Sequence, residues 1–205
     1  LLFTRSYNAG IQQYSGPLGY GWVHSYDMRL EHLSDKSIGV KTGDSYASLL
    51  YKEPDGTYRS EYGYPSLVIN SDGSSVLTEK NGVKKTFGSD LKLKSFIDTT
   101  GNAINLQYTG GLLSGIVHSN GDKITVTSDG TGKITSIKDP FGKVVTFSYT
   151  EDLLSSVISP DGTTQYTYTA NNGGYFLSAI TYPGGKERNI ELDSSGKVSR
   201  TGLNN

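Results

Sequence analysis

The stretch GKVVTFSYTEDLLSSVISPDG, residues 142–162, decides the fold class of this chain. Its first half alternates apolar and polar residues with a period of two, which is typical of a half-buried β-strand. The tripeptide TED at 150–152 interrupts the alternation, and a second apolar run ends at a Pro-Asp-Gly turn. The stretch therefore predicts one β-hairpin.

The same hairpin recurs along the chain with a spacing of about 20 residues. Each copy has a Leu-x-Ser-apolar phrase or a close variant, followed by a turn that ends in glycine. The phrases are LKSF (93–96), LSGI (113–116), ITSI (134–137), LSSV (154–157) and LSAI (177–180). The turns are TTG (99–101), SNG (119–121), PFG (140–142), PDG (160–162) and PGG (183–185). Because one hairpin is marginal in water, the repetition predicts stacked hairpins that share ladder hydrogen bonds and one apolar face.

Within each copy, the strand after the turn glycine has one apolar and one polar face. The apolar positions are Ile104, Leu106, Tyr108, Ile124, Val126, Val145, Phe147, Tyr149, Tyr166, Tyr168, Ile190 and Leu192. In the Leu-x-Ser-apolar phrase the two apolar residues are three positions apart, which breaks strict alternation. That spacing predicts a β-bulge or a strand edge inside the phrase. Inner turns are expected at TGG (109–111), DGTG (129–132), TED (150–152) and NNGG (171–174).

Composition favours an all-β chain and excludes several classes of function. The 205 residues include 26 glycines and 15 tyrosines, which suit tight turns and strands. The absence of cysteine excludes disulfides, thiol catalysis and thiolate metal sites. A net charge of −1 gives no indication of nucleic acid as a partner. No run of 18 apolar residues exists, so no transmembrane segment is predicted.

The first quarter of the chain does not keep the repeat. Three glycines precede WVHSYDMRLEHL (22–33), which we predict as one strand with Trp22, His24 and Tyr26 on one face. On that strand, Met28 and Leu30 would share the same face. We expect two domains, a small β cap module over residues 1–54 and a repeat array over 55–205. The N-terminal LLFTRSYNAG has no signal-peptide features and is typical of a strand interior, so we expect the chain to derive from a longer protein.

Three stretches of the sequence resemble a known family. YNAGIQQYSGPLGYGWVHSYDMRL (7–30) is similar to the module that precedes RHS (YD) repeats, and residues 101–121 and 142–162 resemble the repeats themselves. The resemblance implies a long β-strip wound into a hollow shell, which in bacterial toxin complexes and polymorphic toxins encloses a C-terminal toxic polypeptide. The similar animal teneurins use such a shell as a cell-surface adhesion scaffold. The YD repeats are named for a Tyr-Asp pair. In this chain Tyr-Thr stands in its place, at Tyr108-Thr109 and Tyr149-Thr150.

The predicted fold is an all-β extended antiparallel sheet of stacked hairpin repeats, and the predicted function is a non-catalytic scaffold of a large secreted or surface bacterial protein. The expected partners are a C-terminal toxin or cargo segment of the same polypeptide and further RHS repeats. An alternative is a cell-surface module that binds carbohydrate or protein. Such a fragment would bury its apolar face internally as a small sandwich or by self-association.

Candidate chemical groups are few, and no catalytic, cofactor-binding or metal-binding residue is predicted. Bacterial family members cut off the toxin with an aspartate-bearing core, and no segment here matches it. His24 and His32 would share a face of the predicted strand, but a histidine packed beside aromatic residues is the simpler interpretation. His118 precedes a turn and is expected to be exposed. No G-x-S-x-G motif accompanies the many serines, so a catalytic serine is not favoured.

Two further patterns have a structural interpretation that we prefer. The glycine-rich Gly16–Gly21 segment lacks the Lys-Ser/Thr of a phosphate loop and suits a turn with unusual dihedral angles. The Asp-Gly pairs at 55–56, 72–73, 129–130 and 161–162 suit hairpin turns better than calcium sites. A row such as Tyr149, Tyr166 and Tyr168 could stack sugars if it faced solvent, but such rows more often pack against neighbouring strands.

Overall fold

The computed structural model describes residues 1–171, 174–193 and 198–204, and these are almost entirely β-structure. The first eleven strands are β1 Arg5–Tyr7, β2 Ser15–Gly16, β3 Gly19–Tyr20, β4 Trp22–His24, β5 Met28–His32, β6 Ile38–Thr42, β7 Ser45–Lys52, β8 Tyr58–Arg59, β9 Ser66–Ile69, β10 Ser75–Thr78 and β11 Lys84–Phe87. The others are β12 Leu93–Ile97, β13 Ala103–Thr109, β14 Leu112–His118, β15 Lys123–Ser128, β16 Ile134–Lys138, β17 Val144–Thr150, β18 Leu153–Ser159, β19 Gly162–Asn171, β20 Gly174–Thr181, β21 Glu187–Leu192 and β22 Val198–Asn204. A 3₁₀ helix occupies Ala9–Ile11.

The chain forms two compact units. Unit 1 comprises Leu1–Phe3 and Ser25–Ile124, and unit 2 comprises Thr4–His24 and Thr125–Asn205. These units are defined by packing, so the predicted boundary between a cap module over 1–54 and a repeat array over 55–205 stays a prediction. The all-β class with antiparallel hairpin repeats is confirmed.

In unit 1, strands β5 to β14 pair antiparallel with their neighbours in chain order. Strand β5 also approaches the chain just before β12. The Leu30 N–H donates to the carbonyl of Leu91 at 2.9 Å, and Arg29 forms an isolated antiparallel bridge with Lys92. This contact joins residues about 60 positions apart, which local sequence patterns do not indicate.

In unit 2, the residues of β15 from Thr125 pair with β16, and each strand from β16 to β22 pairs antiparallel with the next. The N-terminal segment of this unit adds two small antiparallel pairs, β1 with β4 and β2 with β3. Both units therefore have the order expected for hairpins added one after another.

The predicted strand faces agree with the observed burial. Among the predicted apolar positions, Leu106, Ile124, Val126, Phe147 and Tyr166 are buried and the others are half-buried. Their neighbours in sequence, such as Asn105, Gln107 and Thr146, are exposed. Burying one such apolar side chain contributes about 1.5–3 kcal/mol, so the repeated positions are a major source of stability.

The hairpin loops follow one recurrent geometry. In the loop Asp98–Asn102, the Asp98 N–H donates to the carbonyl of Asn102, and the Gly101 N–H donates back to Asp98. Gly101 has a φ of 90°, which suits a type I turn closed by a bulge residue in the left-handed region. The Asp98 carboxylate accepts hydrogen bonds from the side chains of Asn102 and Thr100 and from their backbone N–H groups, which lowers its pKa to about 2. The Asp-Gly pairs at 55–56, 72–73 and 129–130 lie in hairpin turns, as predicted, and Asp161 lies in the turn that Gly162 closes as the first residue of β19.

The structure contradicts one sequence prediction, and a second one falls partly outside the described residues. The predicted single strand over 22–33 is wrong, because the chain turns at Ser25–Asp27 between β4 and β5. Burial nevertheless keeps part of the predicted face, since His24 and Tyr26 are both buried. The predicted inner turn NNGG (171–174) includes residues 172–173, which lie outside the described residues.

Candidate functional site

Each Leu-x-Ser-apolar phrase contains a β-bulge. In β18, Leu154 pairs with Tyr149 and Ser156 pairs with Ser148, so Ser155 is the extra residue. The extra residue allows both Leu154 and Val157 to be buried on one face, although three positions separate them. The other described register shifts of this type place the extra residue at Ala47, Lys94, Ser114, Thr135, Ser178 and Ser199. The prediction of a bulge inside the phrase is confirmed.

Where the extra residue is a serine or threonine, its hydroxyl group can donate a hydrogen bond to a backbone carbonyl of the partner strand. The Ser155 hydroxyl donates to the Ser148 carbonyl at 3.0 Å, and the Ser178 hydroxyl donates to the Thr167 carbonyl at 3.1 Å. Thr135 and Ser199 make the same bond, at 3.3 and 3.2 Å. A bulge interrupts the ladder, so these short side chains replace part of the lost backbone pairing.

In three hairpins, a strand tyrosine forms a hydrogen bond with the first residue of the Leu-x-Ser-apolar phrase in the preceding hairpin. The phenol hydroxyls of Tyr108, Tyr149 and Tyr168 donate to the carbonyls of Leu93, Ile134 and Leu154, at 2.7, 2.7 and 2.8 Å. Burial raises the pKa of Tyr108 to about 12 and also raises the pKa values of Tyr149 and Tyr168, so all three remain protonated donors at neutral pH. Each bond ties one hairpin to the hairpin before it.

In unit 2, the glycine-rich segment lies against the repeat strands. The Pro17 carbonyl accepts from the Ile134 N–H at 2.8 Å, and the Tyr20 N–H donates to the Asp152 carbonyl at 3.0 Å. Gly19 has a φ of 84°, and a Cβ built on it would lie 2.3 Å from the Asp152 carbonyl oxygen. The turn interpretation of this segment is therefore correct, and close backbone approach is a second reason for the glycine.

Aromatic side chains continue this contact. The Trp22 ring meets the Tyr166 ring edge-on, with centroids 4.9 Å apart, and its Nε1 donates to the Tyr168 hydroxyl at 2.8 Å. Arg5 donates to the Tyr166 hydroxyl at 2.7 Å. Tyr7 accepts from the backbone N–H of Leu177 at 3.1 Å, so the N-terminal segment also serves the bulge region of β20. The predicted row Tyr149, Tyr166 and Tyr168 is thus engaged in packing, and it does not form a solvent-facing platform.

A polar cluster accompanies the contact in unit 2. The Ser15 hydroxyl donates to Asp152 at 3.0 Å and accepts from the Lys133 ammonium at 3.0 Å, while Lys133 and Asp152 form an ion pair at 3.4 Å. An ammonium has donors and no acceptor, so it cannot take a proton from Ser15 in this arrangement. The cluster acts as a clamp between the N-terminal segment and the repeat strands.

The three histidines are not brought together on one strand. His24 lies on β4 and is buried, and His32 lies on β5 and is exposed, so the expected shared strand face is wrong. Burial lowers the pKa of His24 to about 4. His118 is half-buried, and its Nδ1 accepts from the Asn120 N–H at 3.2 Å, which corrects the expectation of an exposed side chain. No group of three or more metal-ligating side chains occurs among the residues that the structure describes.

Sequence analysis missed one surface feature of unit 1. Exposed tyrosines of β7 and of the loop after β8 line a groove of about 400 Å³. The aromatic residues are Tyr46, Tyr51, Tyr62 and Tyr64. The signal available in the sequence was the density of tyrosine between residues 46 and 64, which has no period-two pattern.

Two stretches of the chain match known family models. Residues 1–60 match a domain of unknown function (DUF6531), which is typically N-terminal in RHS proteins, and residues 129–164 match the RHS Repeat. No curated protein matches significantly. Among solved structures, a mutant TCP10 domain of CPAP from Danio rerio is similar at 18% identity, over 86% of this chain and 88% of that chain. The TM-score for this pair of structures is 0.29.

The described parts of the chain contain no helix with the length and hydropathy needed to cross a membrane. Bulged hairpins tied by tyrosine hydrogen bonds define a β-repeat scaffold. The matches of residues 129–164 to the RHS Repeat and of residues 1–60 to DUF6531 support a relationship to the RHS/YD-repeat family.

Proposed function

We propose that this scaffold is a wall segment of a large secreted or surface bacterial RHS-repeat protein, whose shell encloses or delivers a C-terminal toxin or other cargo. The RHS repeats support a scaffold role. The observation that carries the proposal is the recurrent bond from a repeat tyrosine to the phrase of the preceding hairpin. Since each hairpin is tied to the one before it, further hairpins extend the wall by the same contacts.

The role of the polar side chains supports a non-catalytic wall. The serines in the phrases hold bulge carbonyls, and Ser15 is held between Lys133 and Asp152. The histidine most deeply buried is His24, and its lowered pKa keeps it neutral at physiological pH. These groups stabilise the sheet in the positions where they lie, so the proposal assigns them no chemistry on a substrate.

The test uses the full-length gene product. The product and its isolated C-terminal region downstream of the repeats are digested with trypsin under identical conditions. We expect the C-terminal region to resist cleavage inside the full-length product and to be cleaved rapidly alone. Equal cleavage rates would contradict enclosure.

Localisation is tested separately on intact bacterial cells. A membrane-impermeant biotin reagent, applied to cells that express the full-length product, is expected to label it at the surface, or the product is expected in the culture supernatant. Recovery of unlabelled product from the cytosol alone would argue against export. Enclosure and export are therefore distinguishable in outcome.

A further inference from the structure

Several hairpin loops of unit 1 share a five-residue geometry, in which the N–H of the first residue donates to the carbonyl of the fifth. In the loops 53–57, 70–74 and 79–83, the side chain of the third residue accepts the N–H of the fifth, at 2.9, 2.9 and 3.2 Å. The third residues are Asp55, Asp72 and Asn81, and glycine follows each of them. Loop 79–83 therefore holds an asparagine in a position that the two other loops fill with aspartate.

An asparagine followed by glycine has an intrinsic chemical route to aspartate. The glycine backbone nitrogen attacks the carbonyl carbon of the asparagine side chain and gives up its proton, and the side-chain nitrogen leaves as ammonia. Water then opens the resulting succinimide ring at one of its two carbonyl carbons, which leaves aspartate or isoaspartate. Glycine favours the attack because it has no Cβ to obstruct it and adopts many backbone conformations. The reaction needs water and no other reactant.

Asn81 meets the requirements of this reaction in the folded chain. Its side chain is exposed, and the bond from the Val83 N–H to its Oδ1 polarises the carbonyl that is attacked. Its Nδ2 makes no hydrogen bond among the residues that the structure describes, so the leaving nitrogen is not held in place. The Glu79 carboxylate, on the first residue of the loop, is paired with the Lys85 ammonium at 2.6 Å, which weakens its repulsion of an anionic intermediate.

A second Asn-Gly pair, Asn120-Gly121, has a different environment. The Asn120 Nδ2 donates to the Asp122 carboxylate at 2.9 Å, and its Oδ1 accepts from the Asp122 N–H at 3.0 Å. These bonds hold the amide at both ends, and the carboxylate opposes the negative charge of the intermediate. In both loops the glycine N–H donates to the carbonyl of the first residue at 2.9 Å, so this bond does not distinguish the two sites.

An aspartate at position 81 would have the contacts that the neighbouring loops already make. The Asp55 carboxylate accepts from the hydroxyl and from the N–H of Thr57, which lowers the pKa of Asp55. Asp72 and Ser74 make the same pair of bonds, with the same effect on the pKa of Asp72. A carboxylate at position 81 is a stronger acceptor for the N–H of the fifth residue than the amide that it replaces.

An aspartate at position 120 would instead lie beside the Asp122 carboxylate and would lose the bond that the Asn120 Nδ2 now donates. One loop therefore accommodates the product and the other opposes it. We propose that Asn81 is a deamidation site of the folded chain, converted by attack of the Gly82 nitrogen, and that Asn120 is protected by its own loop. The conversion adds one negative charge to an exposed hairpin loop of unit 1.

The test incubates the whole folded chain at mildly alkaline pH and digests samples with an endoproteinase that cleaves before aspartate. Such cleavage places Asn81 in the peptide 72–89 and Asn120 in the peptide 98–121. Mass spectrometry measures the fraction in which the side-chain amide has become a carboxyl group, and fragmentation locates the change. We expect Asn81 to convert about tenfold faster than Asn120 in the folded chain, because a lost bond and a repelling charge raise the barrier at Asn120. In guanidinium chloride the two residues should convert at similar rates.

Asp122→Asn is the matched control for the rate, because it keeps the size of the side chain and removes the charge beside Asn120. We expect Asn120 to convert faster in this variant, while the rate at Asn81 stays the same. The proposal is overturned if Asn81 stays unconverted in the folded chain or converts no faster than Asn120. An unchanged rate at Asn120 in Asp122→Asn would equally overturn the protection by this loop.

The product is tested directly with Asn81→Asp and Asn120→Asp, whose stabilities are compared with that of the unchanged chain by urea unfolding. We expect Asn81→Asp to unfold at the same or a higher urea concentration, and Asn120→Asp at a lower one. A loss of stability in Asn81→Asp as large as that in Asn120→Asp would contradict the fit of the product to loop 79–83.

Discussion

Tyr149 shows how a single hydroxyl connects two hairpins of the repeat. It donates to the carbonyl of Ile134, a residue that is 1% exposed. Tyr149→Phe removes the donor and leaves a carbonyl in a buried environment without this bond. We expect a loss of about 1–3 kcal/mol in the free energy of unfolding, measured by urea denaturation.

Tyr175→Phe provides the comparison for this measurement. Tyr175 is exposed, and its hydroxyl makes no hydrogen bond among the residues that the structure describes, so its removal should change stability by less than about 0.5 kcal/mol. If both variants lose the same stability, the bond to the phrase carbonyl contributes nothing specific.

Lys36 occupies a turn position that glycine fills in most other loops. Its φ is 69°, in the left-handed region, and its side chain is exposed. Lys36→Gly relieves this strain, and we expect the unfolding free energy to rise by up to about 1 kcal/mol. Lys52→Gly, in the exposed part of β7, is expected to lower it, because glycine weakens a strand. A decrease for Lys36→Gly in thermal unfolding would contradict the strain argument.

His24 gives the protein a pH dependence with a defined sign. Its pKa is about 4 in the folded protein and about 6.5 in the unfolded chain, so the unfolded state binds more protons between these values. Stability therefore falls as the pH drops from about 6.5 to 4, by about 2–3 kcal/mol. Carboxylates such as Asp98, with a pKa near 2, lose their contribution only at lower pH.

The check is urea unfolding of the chain and of His24→Gln at several pH values between 6.5 and 4.5. Glutamine is polar and does not titrate, so the slope should flatten in the variant. Identical slopes in the two proteins would assign the pH dependence to other groups.

At the scale of elements, the glycine-rich segment is the most sensitive link of unit 2. Gly19→Ala combines a positive φ with a Cβ that would lie 2.3 Å from the Asp152 carbonyl oxygen. Gly56→Ala has the same strain, with a φ of 86°, but no atom lies within 4 Å of its Cβ. We expect Gly19→Ala to lose about 3 kcal/mol and Gly56→Ala about 1 kcal/mol.

Hydrogen exchange locates the effect of Gly19→Ala. The Tyr20 N–H, which donates to Asp152, should exchange faster in Gly19→Ala than in Gly56→Ala. Equal stability losses, with unchanged exchange at Tyr20, would show that close approach at Gly19 is unimportant.

The elements that sequence predicted well are those fixed by local patterns. The three-residue spacing of Leu154 and Val157 predicts a bulge, because only an extra residue returns both side chains to one face. The sequence did not reveal the turn at Ser25–Asp27, because the period-two pattern of buried residues runs from His24 in β4 to Tyr26 in the turn without a break. The clamp between Ser15 and Asp152 spans more than 130 residues, and no local pattern specifies such a contact.

At the scale of the whole molecule, the N-terminal segment of unit 2, residues 4–24, packs over part of the repeat strands of that unit. Within unit 2 it lies on the side chains of Tyr166 and Tyr168 and supplies an acceptor for the Ile134 N–H. Deletion of residues 1–24 removes this cover and exposes an aromatic face with an unpaired backbone donor. Deletion of residues 1–3 alone leaves the unit 2 cover in place.

We therefore expect the chain lacking residues 1–24 to self-associate and to bind the dye ANS, whereas the chain lacking residues 1–3 does neither. Analytical ultracentrifugation and ANS fluorescence measure the two properties. The physical reason is that stacked hairpins leave one apolar face to be covered, and in unit 2 the chain covers part of that face with its own N-terminal residues. A monomeric, ANS-negative chain without residues 1–24 would show that the repeat strands need no cover, and the segment would then have to be explained by a binding role.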